Sequence, residues 1–135
     1  MYGTVGQPQN EQQPPQHFPT PQTPEDLIRF IKFVYRQQMF YYFFDKMLRG
    51  IIPTNILMAS IDEILRPISQ LIDNHQQVQT FYGDIRVQQM IIGLRTLYNY
   101  LEAIATYERM GLTPQVQQGK AMAGEYFLSI AVLFI

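Results

Sequence analysis

The sequence predicts an all-α protein: an extended N-terminal arm over residues 1–22, then a four-helix, bundle-like domain over residues 23–135. Three observations predict it. Apolar residues recur at three- and four-residue spacing over 57–71 and 87–105, the period of one helix face. Thr-Pro pairs stand at Thr23-Pro24 and Thr113-Pro114, and a helix start favours a capping hydroxyl followed by proline. Gly50 and Gly111 stand where a left-handed residue ends a helix. The helices expected between these signals are 24–49, 54–73, 84–110 and 114–135.

The arm holds five prolines and six glutamines and almost no aliphatic side chain. Such a segment buries too little apolar surface to offset its ordering entropy, so alone it is disordered or polyproline-like. Where it is ordered, it is expected on a neighbouring molecule.

The first helix begins with Glu25 and Asp26 in its first turn and ends with Lys46 and Arg49 in its last, an arrangement that suits the helix dipole. Asp26 stands three residues after Thr23, a capping-box spacing. Uninterrupted, this helix would be about 40 Å long. Eight of the fifteen residues from Phe30 to Phe44 are Phe or Tyr, and half of the ten basic residues lie between Arg29 and Arg49. A helix of that composition is expected to be covered.

The second helix carries Leu57, Ile61, Ile64, Ile68 and Leu71 on one face, and Pro67 is expected to bend it. Asp84 caps the third, whose stripe from Val87 through Met90, Leu94, Leu97 and Leu101 to Ile104 is the strongest periodic signal in the chain. Met110-Gly111-Leu112 reads as its Schellman ending. The fourth is small in its first half, with Gly119, Ala121, Ala123 and Gly124 allowing close backbone approach. It is apolar on nearly every side from Tyr126 to Ile135, and an end of that kind must be buried.

Length and composition narrow the function. A chain of 135 residues, 47% hydrophobic and only 16% charged, is one domain short of solubilising charge. A net charge of -1 argues against generic electrostatic binding of nucleic acid, so any such contact needs a local patch. The absence of cysteine excludes disulfides, thiolate zinc sites and a cysteine nucleophile. No apolar signal region or membrane-spanning run is expected: charged residues interrupt the first helix, and the apolar C-terminus is about half the ~20 residues a span needs. His17 and His75 have no third ligand at metal-binding spacing, and no GxSxG, Walker A or GxGxxG motif is present. No cofactor, small-molecule substrate or enzymatic activity is expected.

Two constellations remain. Arg29, Lys32 and Arg36 fall within roughly 60° on one helix face, a candidate phosphate-contacting stripe that Lys46 and Arg49 would continue. The competing reading is a solvated edge whose long side chains cover apolar surface. Phe40, Tyr41, Tyr42, Phe43 and Phe44 cover every side of a turn, and base-stacking platforms normally sit on strands. Together with Phe127, Ile130, Leu133 and Phe134 they are read as core and subunit interface, where aromatics are enriched.

In organisation the chain resembles the helical coat proteins of filamentous, rod-shaped and spindle-shaped archaeal viruses. The resemblance rests on length, the Pro/Gln arm, the basic-aromatic helix from Pro24 to Arg49 and the three helices after it. It implies a virion protein that assembles with many copies of itself and contacts double-stranded DNA. The near-neutral charge departs from the strongly basic members of that group. The alternative is a non-catalytic accessory subunit of a large membrane-associated complex, such as a mitochondrial one, touching membrane or lipid without spanning it.

Overall fold

The computed structural model describes residues 20–73 and 78–135. The arm's residues 1–19, with His17, and residues 74–77, with His75, lie outside them. Six α-helices occupy the described residues: α1 Pro24–Gln37, α2 Phe40–Leu48, α3 Thr54–Asp73, α4 Val78–Tyr82, α5 Ile85–Arg109 and α6 Thr113–Ile130. A short 3-10 helix, Ala131–Phe134, follows α6, and no strand is present among the described residues.

The expected helix 24–49 is two helices. Thr23 caps α1, its Oγ1 accepting the Asp26 N–H at 3.1 Å. At Met39 the backbone turns left-handed, φ 52° and ψ 46°, and α2 starts afresh. The phase of the buried residues explains the break. Leu27, Ile28 and Ile31 are buried on α1, and Phe40, Phe44 and Met47 on α2. Phe40 is nine residues beyond Ile31, about 180° around a straight helix, so an uninterrupted rod would leave one of the two stripes in water. The left-handed Met39 turns both stripes into one core. Gln38 fastens the corner, its Nε2 donating to Glu63 Oε1 on α3 at 3.0 Å.

Both glycine stops take the left-handed conformation, Gly50 with φ 75° and Gly111 with φ 70°. Each closes a Schellman pair: the Ile51 N–H donates to the Lys46 carbonyl and the Leu112 N–H to the Tyr107 carbonyl, at 2.9 and 3.0 Å. α3 runs through Pro67, and Thr54 in its first turn is buried, its hydroxyl donating to Glu108 Oε1 at 3.0 Å. That bond ties the start of α3 to the end of α5.

α5 is the central helix and packs chiefly on α6 and α3. Its stripe from Val87 to Ile104 is buried, and α6 runs antiparallel along it, with Gly119 against Ile104 and Ile130 against Gly93. α6 differs from expectation at both ends. Thr113 is its first residue rather than its cap. The helix stops at Ile130 instead of Ile135, because the tighter 3-10 winding carries Phe134 under the bundle, where its ring stacks on Tyr35 at 4.2 Å and 5°.

Candidate functional site

Arg29, Lys32 and Arg36 sit on α1, Lys46 and Arg49 on and just after α2, and the aromatic constellation on α2, α6 and the 3-10 helix that follows. On α1, Arg29 and Arg36 are exposed and Lys32 is half-buried. Arg29 pairs with Asp26, whereas Lys32 and Arg36 form no ion pair among the described residues. From Arg29 to Arg36 the stripe runs about 10 Å along the helix. The break at Met39 separates it from Lys46 and Arg49. Arg49 is paired with Asp45 at 3.1 Å, and Lys46 Nζ lies 4.8 Å from the centre of the Tyr42 ring. The five cations are therefore two groups on two helix axes, and Lys32 with Arg36 form the pair left uncompensated.

At the far end of α1, Arg86 bridges two elements. Its guanidinium holds Glu25 at 2.6 Å and Asp84 at 2.7 Å. The Arg86 hydrogen bond is the main reason the Asp84 carboxyl is lowered to about 2, and it lowers Glu25 as well. This cluster fixes the start of α1 beside the start of α5.

The aromatic constellation divides. Phe40, Phe44, Phe127, Ile130 and Phe134 are buried in the chain's own core. For these five the single chain shows the core part of the core-and-interface reading. Phe44 stacks on Phe127 at 4.3 Å and 9°, and Tyr35 holds Phe134. Phe43 and Leu133 are half-buried. Tyr41 and Tyr42 remain in water, Tyr41 at 70% exposure.

Sequence reasoning missed which residues of the C-terminal run face water. Leu128 is 59% and Val132 68% exposed, although the uniformly apolar C-terminal run gave no sign of which residues would face out. Tyr41 and Leu128 line one groove between α2 and α6 of about 480 Å³. The Phe44–Phe127 stack, Leu48, Ala121 and Gly124 line it further, together with the polar Asp45, Gln117, Lys120 and Glu125. Leu48 Cδ1 lies 3.4 Å from where a Cβ on Gly124 would stand, an ordinary contact distance.

Among the described residues no three His, Cys, Asp or Glu side chains converge as metal ligands, and no helix is long and apolar enough to cross a membrane. The described residues present an aromatic groove between α2 and α6 and, on α1, a short cationic stripe. Comparisons with protein-family models, with curated proteins and with solved structures find no match to this chain.

Proposed function

We propose that this chain is a structural subunit that assembles with many copies of itself into a virion coat or filament, in the manner of the archaeal viral coat proteins it resembles. Its fold serves as a four-helix unit in which α1 and α2 form one bent member beside α3, α5 and α6. The observation that carries the reading is the open groove between α2 and α6, with Tyr41 and Leu128 exposed on its walls. Large side chains left in water around an aromatic hollow, in a chain with little charge, suit a surface that another molecule covers.

In such an assembly Arg29, Lys32 and Arg36 supply phosphate contacts to double-stranded DNA, and the exposed Arg29–Asp26 pair is weak enough to be exchanged for a phosphate. Few contacts per subunit suffice when many copies act together. A second reading, an accessory subunit of a membrane-associated complex, draws on the same exposed residues and on Ile135 at the C-terminus.

Electron microscopy of the purified chain separates the two. Regular particles formed without any partner support the coat reading, and a monomer that stays dispersed at high concentration refutes it. Replacing Arg29, Lys32 and Arg36 together with Gln then tests the DNA contact. Particles that form normally but lose their nucleic acid place the contact on this stripe, and unchanged packaging with unchanged salt dependence removes it.

A further inference from the structure

We propose that α1 is exchanged between copies of this chain: Met39 straightens, and α1 leaves its own body to take the same seat on a second copy. The inference rests on the self-assembly reading above and names a contact by which subunits are joined. The corner between α1 and α2 is a short hinge under strain, the kind of connection that invites exchange. Met39 is the one non-glycine residue with positive φ among the described residues. Gln38 before it is already helical, with φ -74° and ψ -11°, so the dihedrals of a single residue separate the corner from a continuous helix. Gln37-Gln38-Met39-Phe40 holds no glycine or proline to oppose that helix. Straightening relieves the left-handed backbone and gives the Phe40 and Tyr41 N–H groups the Arg36 and Gln37 carbonyls.

Phase decides where the freed helix points. Leu27, Ile28 and Ile31 on α1 and Phe40, Phe44 and Met47 on α2 are buried, and on a straight helix the two sets centre about 180° apart. With α2 kept in its own core, the α1 stripe faces away from that core and needs a second body to cover it. A second copy offers the one surface already shaped for the stripe, the seat its own α1 has vacated. Each contact of that seat is re-formed there. Leu27, Ile28 and Ile31 return to a core of the same residues. Tyr35 returns to a Phe134 ring, which it stacks on at 4.2 Å in the single chain, and Glu25 to an Arg86 guanidinium, which it meets at 2.6 Å. The exchange gains the relief at Met39 without giving up burial, which is why swapping identical elements is a low-cost route to association.

The polar ties that hold α1 at home are exposed at both of its ends, Glu25 to Arg86 at the start and Gln38 to Glu63 at the corner, and exposed ties of this kind are weak. In a dispersed chain no second body is at hand, and the closed form persists. Packed copies supply that body at high local concentration. Handed on from one copy to the next, α1 links subunits head to tail, the contact that an open filament repeats.

The chain has no cysteine, so introduced ones report the exchange. Full-length Glu25→Cys and Arg86→Cys chains are mixed, concentrated and treated with a short bismaleimide. Covalent dimers containing one chain of each kind are expected, and few should form when Glu102→Cys, on the exposed side of α5, replaces Arg86→Cys. Adding Met39→Ala to both chains should raise the yield of mixed dimers and adding Met39→Gly should lower it. The two should differ by at least about tenfold, because alanine favours the straight helix and glycine the left-handed corner. Equal yields from the two hinge variants would show incidental proximity and overturn the exchange. A chain carrying both Glu25→Cys and Arg86→Cys gives a second readout: links between chains support the exchange, and links closed within single chains overturn it. Micrographs of the same samples separate this inference from the self-assembly reading. Particles with internal links alone overturn the exchange and leave assembly standing. Links between chains without particles support the exchange and refute the coat. Internal links without particles overturn both.

Discussion

Gly119 of α6 lies so close to Ile104 of α5 that a Cβ on the glycine would sit 2.9 Å from Ile104 Cγ1. That spacing sets how closely the two longest-packed helices approach. Gly119→Ala should therefore destabilise the fold by about 0.5–2 kcal/mol, since overpacking at 1–3 kcal/mol exceeds the roughly 1 kcal/mol gained in helix propensity. Gly124→Ala meets only an ordinary contact with Leu48 and should stabilise by up to about 1 kcal/mol. Denaturant unfolding of both variants checks the pair; equal shifts would contradict the packing described.

Met39 holds the second testable feature. It is 54% exposed and adopts φ 52°, so its side chain contributes little burial while its backbone is strained. Met39→Gly should raise stability by about 0.5–1 kcal/mol, and the β-branched Met39→Val should lower it by about 1–2 kcal/mol. Thermal melts decide, and a destabilised Met39→Gly chain would show that the corner depends on the methionine side chain.

The corner also marks the boundary of what the residues reveal by themselves. The stripe from Val87 to Ile104 was legible because regular spacing and burial coincide on a straight helix, and Thr23, Gly50 and Gly111 were legible because local backbone chemistry decides their conformation. Gln37-Gln38-Met39 holds neither glycine nor proline, so no local signal marks the break. The clue was phase: Phe40 falls half a turn away from Ile31, but a run of five consecutive aromatics hides which of them points inward. The same ambiguity hid the groove. Between Tyr126 and Ile135 almost every residue is apolar, so periodicity cannot separate Leu128, which faces out, from Phe127, which faces in; the Phe44 ring decides. Spacing likewise cannot tell a chain's own core from a partner's surface, which is why the aromatic run was read as core and interface together.

Alkaline pH tests the Tyr35–Phe134 stack. Burial pushes the Tyr35 phenol up from 10.0 to about 12. Because the folded state holds this proton more tightly than the unfolded chain, the contribution is complete below pH 10 and is lost as pH rises toward 12. The loss should be on the order of 1–2 kcal/mol, and Tyr35→Phe should remove this part of the alkaline decline. Stability followed by denaturant titration from pH 9 to 12 checks it; parallel curves for the two chains would contradict it.

Acid pH tests the Arg86 bridge with the opposite sign. Asp84, lowered from 3.8 to about 2, and Glu25, also lowered, favour the folded state above pH 4, and that contribution is lost as pH falls toward 2. Arg86→Gln should flatten the stability curve in this window. An unchanged acid limb would show that the bridge does not hold α1 to α5.

Truncation after Ser129 removes Ile130 and Phe134, both buried, along with the ring stacked on Tyr35. Losing two such side chains costs about 3–6 kcal/mol, a large part of a typical margin of about 5–15 kcal/mol. The melting midpoint should fall by about 10–25 °C. A truncated chain that melts like the full one would mean the C-terminal turn contributes nothing to the core.

The proposed self-assembly requires that another copy cover the apolar side chains left in water around the groove. Leu128→Glu tests it most directly, because Leu128 is exposed in the single chain and a carboxylate there leaves the fold intact while a covered interface would have to bury it. Sedimentation velocity of the two chains at equal concentration is the measurement, with helix content followed by circular dichroism. The parent chain should sediment as large assemblies and the variant as a 15.8 kDa monomer with the same helicity. Identical sedimentation of the two chains, in either form, would contradict the claim.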